Sequence, residues 1–420
     1  MSSRGILIVT KFGYRRGGAE AVAIDLARIL HNHGWRTAIF AMDFPANDPA
    51  SPDIPLFTAP EVSIDGSAAD KSRAARRILG GAGVGAAFRR ALREFSPDIV
   101  HFHNIHSYLS PEVVRIAAMS GVPTVWTLHD YKLICPAYTF LRAGKVCEEC
   151  LNDPWAVVRH RCMKRSLAAS MLARAEAARW SAKKLQRWTD AFICPSRFMA
   201  TQMEHGDYNP DRIHTLCNFT TSGIHYEKRP RRPYFCYAGR LSPEKGIDTL
   251  LHTVAEAPPE GLTLKVAGDG PMARQLHERY GRCEAIEFLG QLDVAGINTL
   301  LSEASFSVVP SEWYENNPLS VIESLSAGTP VAGAAIGGIP ELIGDGDGIL
   351  FEPGNADSLH RAITTAAETV WDHDAIAARA AEAFSPDRHY RRLTEIYRSV
   401  IADTAHNDST SSSIQVNLEN

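Results

Sequence analysis

At 420 residues, with 45% hydrophobic and 22% charged side chains, the chain exceeds one ordinary core and is expected to divide into two domains of roughly 200 residues each. A formal net charge of −4 argues against a nucleic-acid-binding surface, and no apolar run approaches the roughly 20 residues that span a bilayer. The start, Met1 to Thr10, has too short an apolar run for a secretory signal, so a cytoplasmic protein with mostly reduced cysteines is expected.

Short β-branched runs alternate with helical patterns from the start. Strands are predicted at Gly5 to Thr10, Arg36 to Ala41, Asp98 to His103, Pro123 to Leu128 and Ala191 to Cys194. Continuous apolar strands between helices argue for a parallel sheet covered on both faces. Directly after the first strand, Gly13-Tyr-Arg-Arg-Gly-Gly-Ala-Glu20 opens a helix that should run to about His33. Glycines there let backbone approach a ligand, and free helix N–H groups attract anions. The segment departs from G-x-G-x-x-G, and Asp43 is the only nearby candidate for a dinucleotide site's acid. His103 and the pair His129-Asp130 fall at strand ends, where doubly wound sheets place ligands. His103 is expected to line the cleft beside Asp130, without a catalytic part.

An insertion follows, residues 131–163, carrying Cys135, Cys147, Cys150 and Cys162 as C-x11-C-x2-C-x11-C. Four thiolates of this kind can close a tetrahedral structural zinc site; four reduced, unpaired thiols are the alternative. Two basic stretches occur in the same half. One runs from Lys71 to Arg93; the other, Arg159 to Arg187, interleaves Trp180 and Trp188 with nine cations against the single acid Glu176. Such helices either present a solvated face or rest on anionic lipid.

The proline-containing, basic segment Glu227 to Pro233 reads as a linker, which makes residues 1–226 the first domain and 227–385 the second. Strands are predicted in the second at Tyr234 to Ala238, Thr263 to Ala267, Ile286 to Leu289, Phe306 to Pro310 and Pro330 to Ala334. Tyr237-Ala-Gly-Arg-Leu-Ser-Pro-Glu-Lys-Gly246 combines a strand end, a glycine-bearing loop and a helix from Ile247, so Arg240 and Lys245 form a candidate anion site. Glu315 and Glu323 stand eight positions apart across the start of a helix. Cations suit a diphosphate and spaced carboxylates suit hydroxyl-rich rings, a combination that fits a sugar nucleotide. Residues 386–405 are predicted as a helix packing back on the first domain, and the serine-rich segment 406–420 as disordered.

Taken in order, Gly17-Gly-Ala-Glu20, Val100-His-Phe-His103, Thr127-Leu-His-Asp130, Gly239-Arg-Leu-Ser-Pro-Glu-Lys-Gly246, Gly268-Asp-Gly-Pro271, the glutamate pair and Ala327-Gly-Thr-Pro-Val331 make the chain resemble the retaining glycosyltransferases of the GT-B fold, family 4, from about Gly5 to Thr369. The resemblance implies an α/β protein of two Rossmann-like domains facing a central cleft, acceptor on the first and nucleotide sugar on the second. It implies a hexosyltransferase of class EC 2.4 in which Arg240 and Lys245 hold the diphosphate and Glu323 binds the ribose. Glu315 would lie near the transferred sugar, and His129 would touch its 6-position. Gly17 and Gly18 would approach the phosphates from the opposite domain. Where the family often has glycine this chain has Pro318, which lacks an N–H, so a contact there would fall to Asn317 or Leu319. No cofactor would be needed for catalysis, only the possible structural zinc. The implied partners are a UDP-, GDP- or ADP-sugar, a glycan or lipid-linked acceptor of surface polysaccharide or glycolipid synthesis, and an anionic membrane surface, with no nucleic acid. A nucleotide-sugar epimerase of the same fold and a non-catalytic sugar-nucleotide or zinc-binding scaffold are the alternatives.

Overall fold

A computed structural model of the chain describes residues 4–48, 52–64, 66–220 and 223–416, with backbone alone from residue 405. The strands of the first domain are β1 (Gly5–Val9), β2 (Arg36–Met42), β3 (Leu56–Ala59), β4 (Ile99–Phe102), β5 (Thr124–Thr127), the two-residue hairpin β6 (Leu141–Arg142) and β7 (Lys145–Val146), β8 (Ala191–Cys194) and β9 (Ile213–Thr215). All but the hairpin join one parallel sheet in the order β3-β2-β1-β4-β5-β8-β9. The second domain contributes β10 (Tyr234–Ala238), β11 (Thr263–Ala267), β12 (Ile286–Gly290), β13 (Ser307–Val309), β14 (Val331–Ala334) and β15 (Gly348–Phe351), all parallel, in the order β12-β11-β10-β13-β14-β15.

Each sheet reverses its winding once, between β1 and β4 in the first and between β10 and β13 in the second. Beyond the carboxyl ends of such strands the connecting helices diverge and leave a crevice. The central strands are largely apolar because helices cover both faces; every residue of β1 and β4 is buried. Short strands that sequence reasoning passed over are β3, β9 and β15, all at or next to sheet edges.

Two chain crossings join the domains, and they run side by side. The outward crossing follows β9; the return follows the helix His373–Ala383 and enters the long helix Pro386–Val416. Thr220 N donates to the Phe384 carbonyl at 2.9 Å, and His389 Nδ1 lies 2.9 Å from the Cys217 carbonyl. Leu393, Tyr397 and Val400 of the returning helix are buried against Ile6 and Ile8 in the first domain's core. The helix does not stop near 405: its backbone continues to Val416, so part of the segment expected to be disordered extends the helix, as propagation from a formed helix allows. Residues 417–420 lie outside the described residues.

The basic segments take more structural duty than their composition suggests. Arg231, in the linker, is pinned by the carbonyls of Leu301, Ala304, Ala327 and Gly328 and the Thr329 hydroxyl, which makes the linker part of the second domain's surface. Arg77 is fully buried and donates to the Tyr108, Pro60 and Ala82 carbonyls; burial pushes its guanidinium down to about 10. Trp180 is buried as well, with its indole N–H on the Ile78 carbonyl at 2.8 Å. Arg77 and Trp180 therefore belong to the packed interior, not to a lipid-facing surface.

Candidate active site

The two crevices face each other and enclose one cleft of about 910 Å³. The first domain sends Gly17, Gly18, His129 and Asp130 into it, and the second sends Arg240, Lys245, Glu315, Asn317, Leu319 and Glu323. Ten of the residues singled out from the sequence thus line a single space.

On the second-domain wall, β10 ends at Ala238 and the chain turns through Arg240. Tyr237 Oη donates to the Arg240 carbonyl at 2.7 Å, and Leu241 N to the Asp269 carbonyl at 2.9 Å, so the loop is fixed while the Arg240 side chain stays exposed in the cleft. That side chain has no hydrogen-bond or ion-pair partner among the described residues. A 3₁₀ turn, Pro243–Lys245, follows and ends on Gly246 at φ +66°, where a Cβ would stand 1.8 Å from the Pro310 carbonyl oxygen. Only glycine admits that approach. It brings Lys245 Nζ to 2.7 Å from Glu315 Oε1.

Glu315 is 5% exposed and also accepts from Ser311 Oγ at 2.6 Å. Burial pushes its carboxyl upward, but the Lys245 ammonium and the Ser311 hydroxyl outweigh burial and hold it below the ordinary glutamate range. The lysine's ammonium lies 5.3 Å from the centre of the Trp313 ring, which covers the pair. Gly337, at φ +59°, explains the later glycine pair: a Cβ there would sit 2.2 Å from the Glu315 carbonyl, to which Gly338 N donates. Cation and carboxylate, read from the sequence as separate recognition elements, are one buried-edge ion pair.

The helix Leu319–Ser326 opens toward the first domain, with Pro318 at its N-cap and Glu323 half-buried one turn in. A Cβ on Gly18 would come within 3.4 Å of Leu319 Cδ1, so the glycine loop and this helix start meet across the cleft. Of the two residues left to replace a contact at Pro318, Asn317 has its side chain committed elsewhere. Its Oδ1 accepts from Asn218 N at 3.0 Å and its carbonyl from Asn218 Nδ2 at 3.2 Å. Asn316 does likewise, donating to the Leu128 carbonyl at 2.7 Å and accepting from Ser196 Oγ at 3.0 Å. Glu341 completes the contact between domains by accepting from the N–H groups of Arg197 and Phe198, at 2.8 and 2.7 Å, at the start of the helix Arg197–His205. The Leu319 backbone N–H, the first of its helix, remains the donor at that place.

The first-domain wall presents one imidazole, His129, backed by two buried ones. His103 does not line the cleft as expected. β4 stops at Phe102, His103 N binds the Val9 carbonyl at 2.8 Å, and the side chain, 1% exposed, lies behind His129 with Nδ1 2.9 Å from His129 Nε2. His101 is bonded at both nitrogens, to Tyr397 Oη at 2.6 Å and Thr127 Oγ1 at 2.7 Å. Burial, seconded by the nearby Lys11 ammonium, depresses His129 to about 3, and burial drives His101 and His103 well below the usual histidine range. Lys11 itself is lowered by burial, opposed by Asp130 and Glu20; Glu20 is raised by burial, opposed by Lys11. Sequence reasoning did not foresee Lys11 as a neighbour of His129 and Asp130, because a lone lysine after a strand carries no motif.

In the insertion, the four cysteines are free and gather at one corner of the first domain's core. The Cys150 thiol hydrogen bond is the largest cause holding Cys135 down to about 7, and Cys162 lies within electrostatic reach of Cys135 and Cys147. Among the described residues, no three His, Cys, Asp or Glu side chains stand close enough to hold a metal ion as they are. The insertion is anchored by Lys132, which bonds the Pro136 carbonyl at 2.6 Å and pairs with Glu176 at 2.9 Å, both side chains buried.

Comparison with known proteins agrees with this architecture. Residues 16–221 match the family described as Glycosyltransferase Family 4, and residues 224–383 match Glycosyl transferases group 1. Sulfoquinovosyl transferase SQD2 of Arabidopsis thaliana is 27% identical over 292 residues, 65% of this chain and 50% of the relative. Glycogen synthase of Mycobacterium tuberculosis is 33% identical over 168 residues, 37% of this chain and 38% of the relative. The chain thus spans about half, or less, of the length of these curated relatives. Among solved structures, a sucrose-phosphate synthase from Thermosynechococcus elongatus superposes with TM-score 0.70 at 19% identity, covering 95% of this chain and all of that one. Anabaena Alr3699/HepE, in complex with UDP and glucose, superposes with TM-score 0.66 at 18% identity, covering 94% of this chain and all of that one. At these identities the structural likeness speaks for the fold.

Proposed function

Because the chain belongs to the group 1, family 4 glycosyltransferases, transferases of class EC 2.4, we propose that it moves a sugar from a nucleotide-sugar donor to a glycan or lipid-linked acceptor, with retention at the anomeric carbon. The observation that carries this reading is the unpartnered Arg240 side chain beside the Lys245–Glu315 pair, facing the Gly17-Gly18 loop in one cleft. Solved relatives of the same fold hold UDP with glucose, and UDP-glucose, which favours a uridine diphosphate donor.

Cleavage of the glycosidic bond to phosphate builds negative charge on the leaving diphosphate. Lys245 and the first N–H groups of the helix Leu319–Ser326 are fixed before the reaction and Arg240 extends from a fixed loop, so together they would stabilise that charge more in the transition state than in the ground state. Glu315, ionised against Lys245, holds the ammonium in place and accepts from a sugar hydroxyl. Glu323, in the same wall, accepts from the ribose. The acceptor hydroxyl attacks from the face the diphosphate leaves, its proton passing to a departing phosphate oxygen, which preserves configuration without a protein nucleophile. His129, neutral, contributes a hydrogen bond to the transferred sugar. Thermal-shift titration with UDP-, GDP- and ADP-sugars identifies the donor. Product analysis with that donor should then give an α-configured glycoside from an α-configured donor; a free rearranged sugar and no transfer would sink the reading.

Two properties of the first domain accompany this proposal. Trp155, Leu167 and Met171 are exposed apolar side chains beside Arg159, Arg161, Lys164 and Arg165, which supports contact with an anionic membrane that carries the acceptor. The helix Leu167–Arg179 does not segregate apolar from polar side chains, so the contact would rest on this patch and not on an amphipathic face. Flotation with phosphatidylglycerol vesicles, lost on Trp155→Ser, tests it. A structural zinc held by Cys135, Cys147, Cys150 and Cys162 would require these thiols, which do not stand close enough as they are, to draw together around it. About one zinc per chain by elemental analysis, lost on Cys150→Ser, is the expected result.

A further inference from the structure

The contact between His103 and His129 has a geometry that fixes where a proton sits. The ring centroids are 5.2 Å apart, the planes differ by 21°, and the nearest nitrogens are 2.9 Å apart, so the rings meet edge to edge in nearly one plane. That is an N–H···N hydrogen bond, and one ring must donate. His103 Nε2 is sealed from solvent and has no partner, since the neighbouring His101 is already bonded at both nitrogens. If His129 donated, the proton of His103 would be on Nε2, leaving a buried N–H with nothing to bind. If His103 donates, only a lone pair is left there, and an orphaned buried acceptor is tolerated better than an orphaned donor. A doubly protonated His103 would again bury an unmatched N–H, and burial keeps both rings neutral.

We infer that His103 is a positioning residue: its Nδ1–H donates to His129 Nε2 and locks His129 in the tautomer whose Nδ1–H faces the cleft. His129 Nδ1 has no protein partner among the described residues and, unlike His103 Nε2, is not sealed from solvent. The cleft therefore meets a neutral donor there, suited to the lone pair of a sugar hydroxyl and unable to take a proton from one. This rests on the function proposed above for its kinetic consequence only; the tautomer itself is a property of the protein without substrate.

The test separates the two. Histidine-selective 15N NMR of the full chain should find His129 protonated on Nδ1. His103→Asn, whose amide N–H can occupy the donor's place, should keep that tautomer and keep kcat within about threefold. His103→Leu should release His129 to the Nε2–H form and lower kcat about tenfold, with the donor KM changed far less. A native His129 protonated on Nε2 overturns the inference, as does a folded His103→Leu protein with native tautomer and native kcat. Absence of sugar transfer in every variant would count against the proposed function while leaving the NMR result decisive for the tautomer.

Discussion

The two walls of the cleft solve recognition by opposite electrostatics. The second-domain wall keeps its groups charged: Glu315 is held ionised by Lys245, and Arg240 stands exposed without a counter-ion among the described residues. The first-domain wall keeps its histidines neutral by burying them among one another and against the returning helix. The difference teaches that the second-domain charges sit where a diphosphate would leave, while the ring that would meet a sugar hydroxyl is kept neutral even with Arg15, Arg16 and Asp130 lining the same wall.

Acid should break the comparison first, and most strongly. His101, His103, His106 and His389 are buried, and burial lowers each, His389 to about 4. Below the ordinary histidine value the unfolded chain binds protons that the folded chain refuses, so stability falls as pH drops from about 6.5 towards the folded values. The slope approaches about 1.4 kcal/mol per histidine per pH unit. Urea midpoints at pH 7.5 and 5.5 should differ clearly; equal midpoints would mean the histidines are not buried neutral. Glu315 is shifted in the same direction, but from the ordinary glutamate value, so its contribution should persist through this range and be lost only as pH falls below that value.

Next in size, Lys245→Ala should lower kcat roughly a hundred- to thousandfold while circular dichroism stays native. It also leaves the buried Glu315 carboxylate with neutral hydrogen-bond donors and no cation, so a modest loss of thermal stability should accompany it. Arg240→Ala sharpens the contrast: about ten- to a hundredfold in kcat with an unchanged melting temperature, because an exposed, unpartnered side chain supports no fold. A melting shift equal to that of Lys245→Ala would show the two cations are not different in kind. The smallest effect belongs to the junction between the walls. Glu341→Gln weakens the carboxylate that caps the helix Arg197–His205 from the other domain and should cost about 1 kcal/mol of stability, read by differential scanning calorimetry.

Much of this was legible in the chain because the responsible signals are local. The strands at 191–194, 234–238 and 263–267 stand where their apolar runs place them, and the glycine turn before Ile247 announces the Arg240–Lys245 loop. Strands β3, β9 and β15 escaped because edge strands of three or four residues need neither a long apolar run nor burial on both faces. Long-range partnerships escaped for a different reason. Nothing in the local pattern ties Tyr397 to His101 or Asn317 to Asn218, and a buried tryptophan such as Trp180 looks the same as an exposed one until the fold is known. His103 was misplaced by a single residue of strand length, which turned its ring from the cleft to the interior.

The parallel crossings at Thr220 and Phe384 act mechanically like one pin through a pair of leaves. With both tethers on the same line, swinging about that line is the motion they oppose least and sliding or twisting the ones they oppose most, so under the proposed function a donor held on one leaf would be delivered to the same spot on the other. Severing the chain at either tether should free the remaining motions and blur that delivery before it unfolds anything.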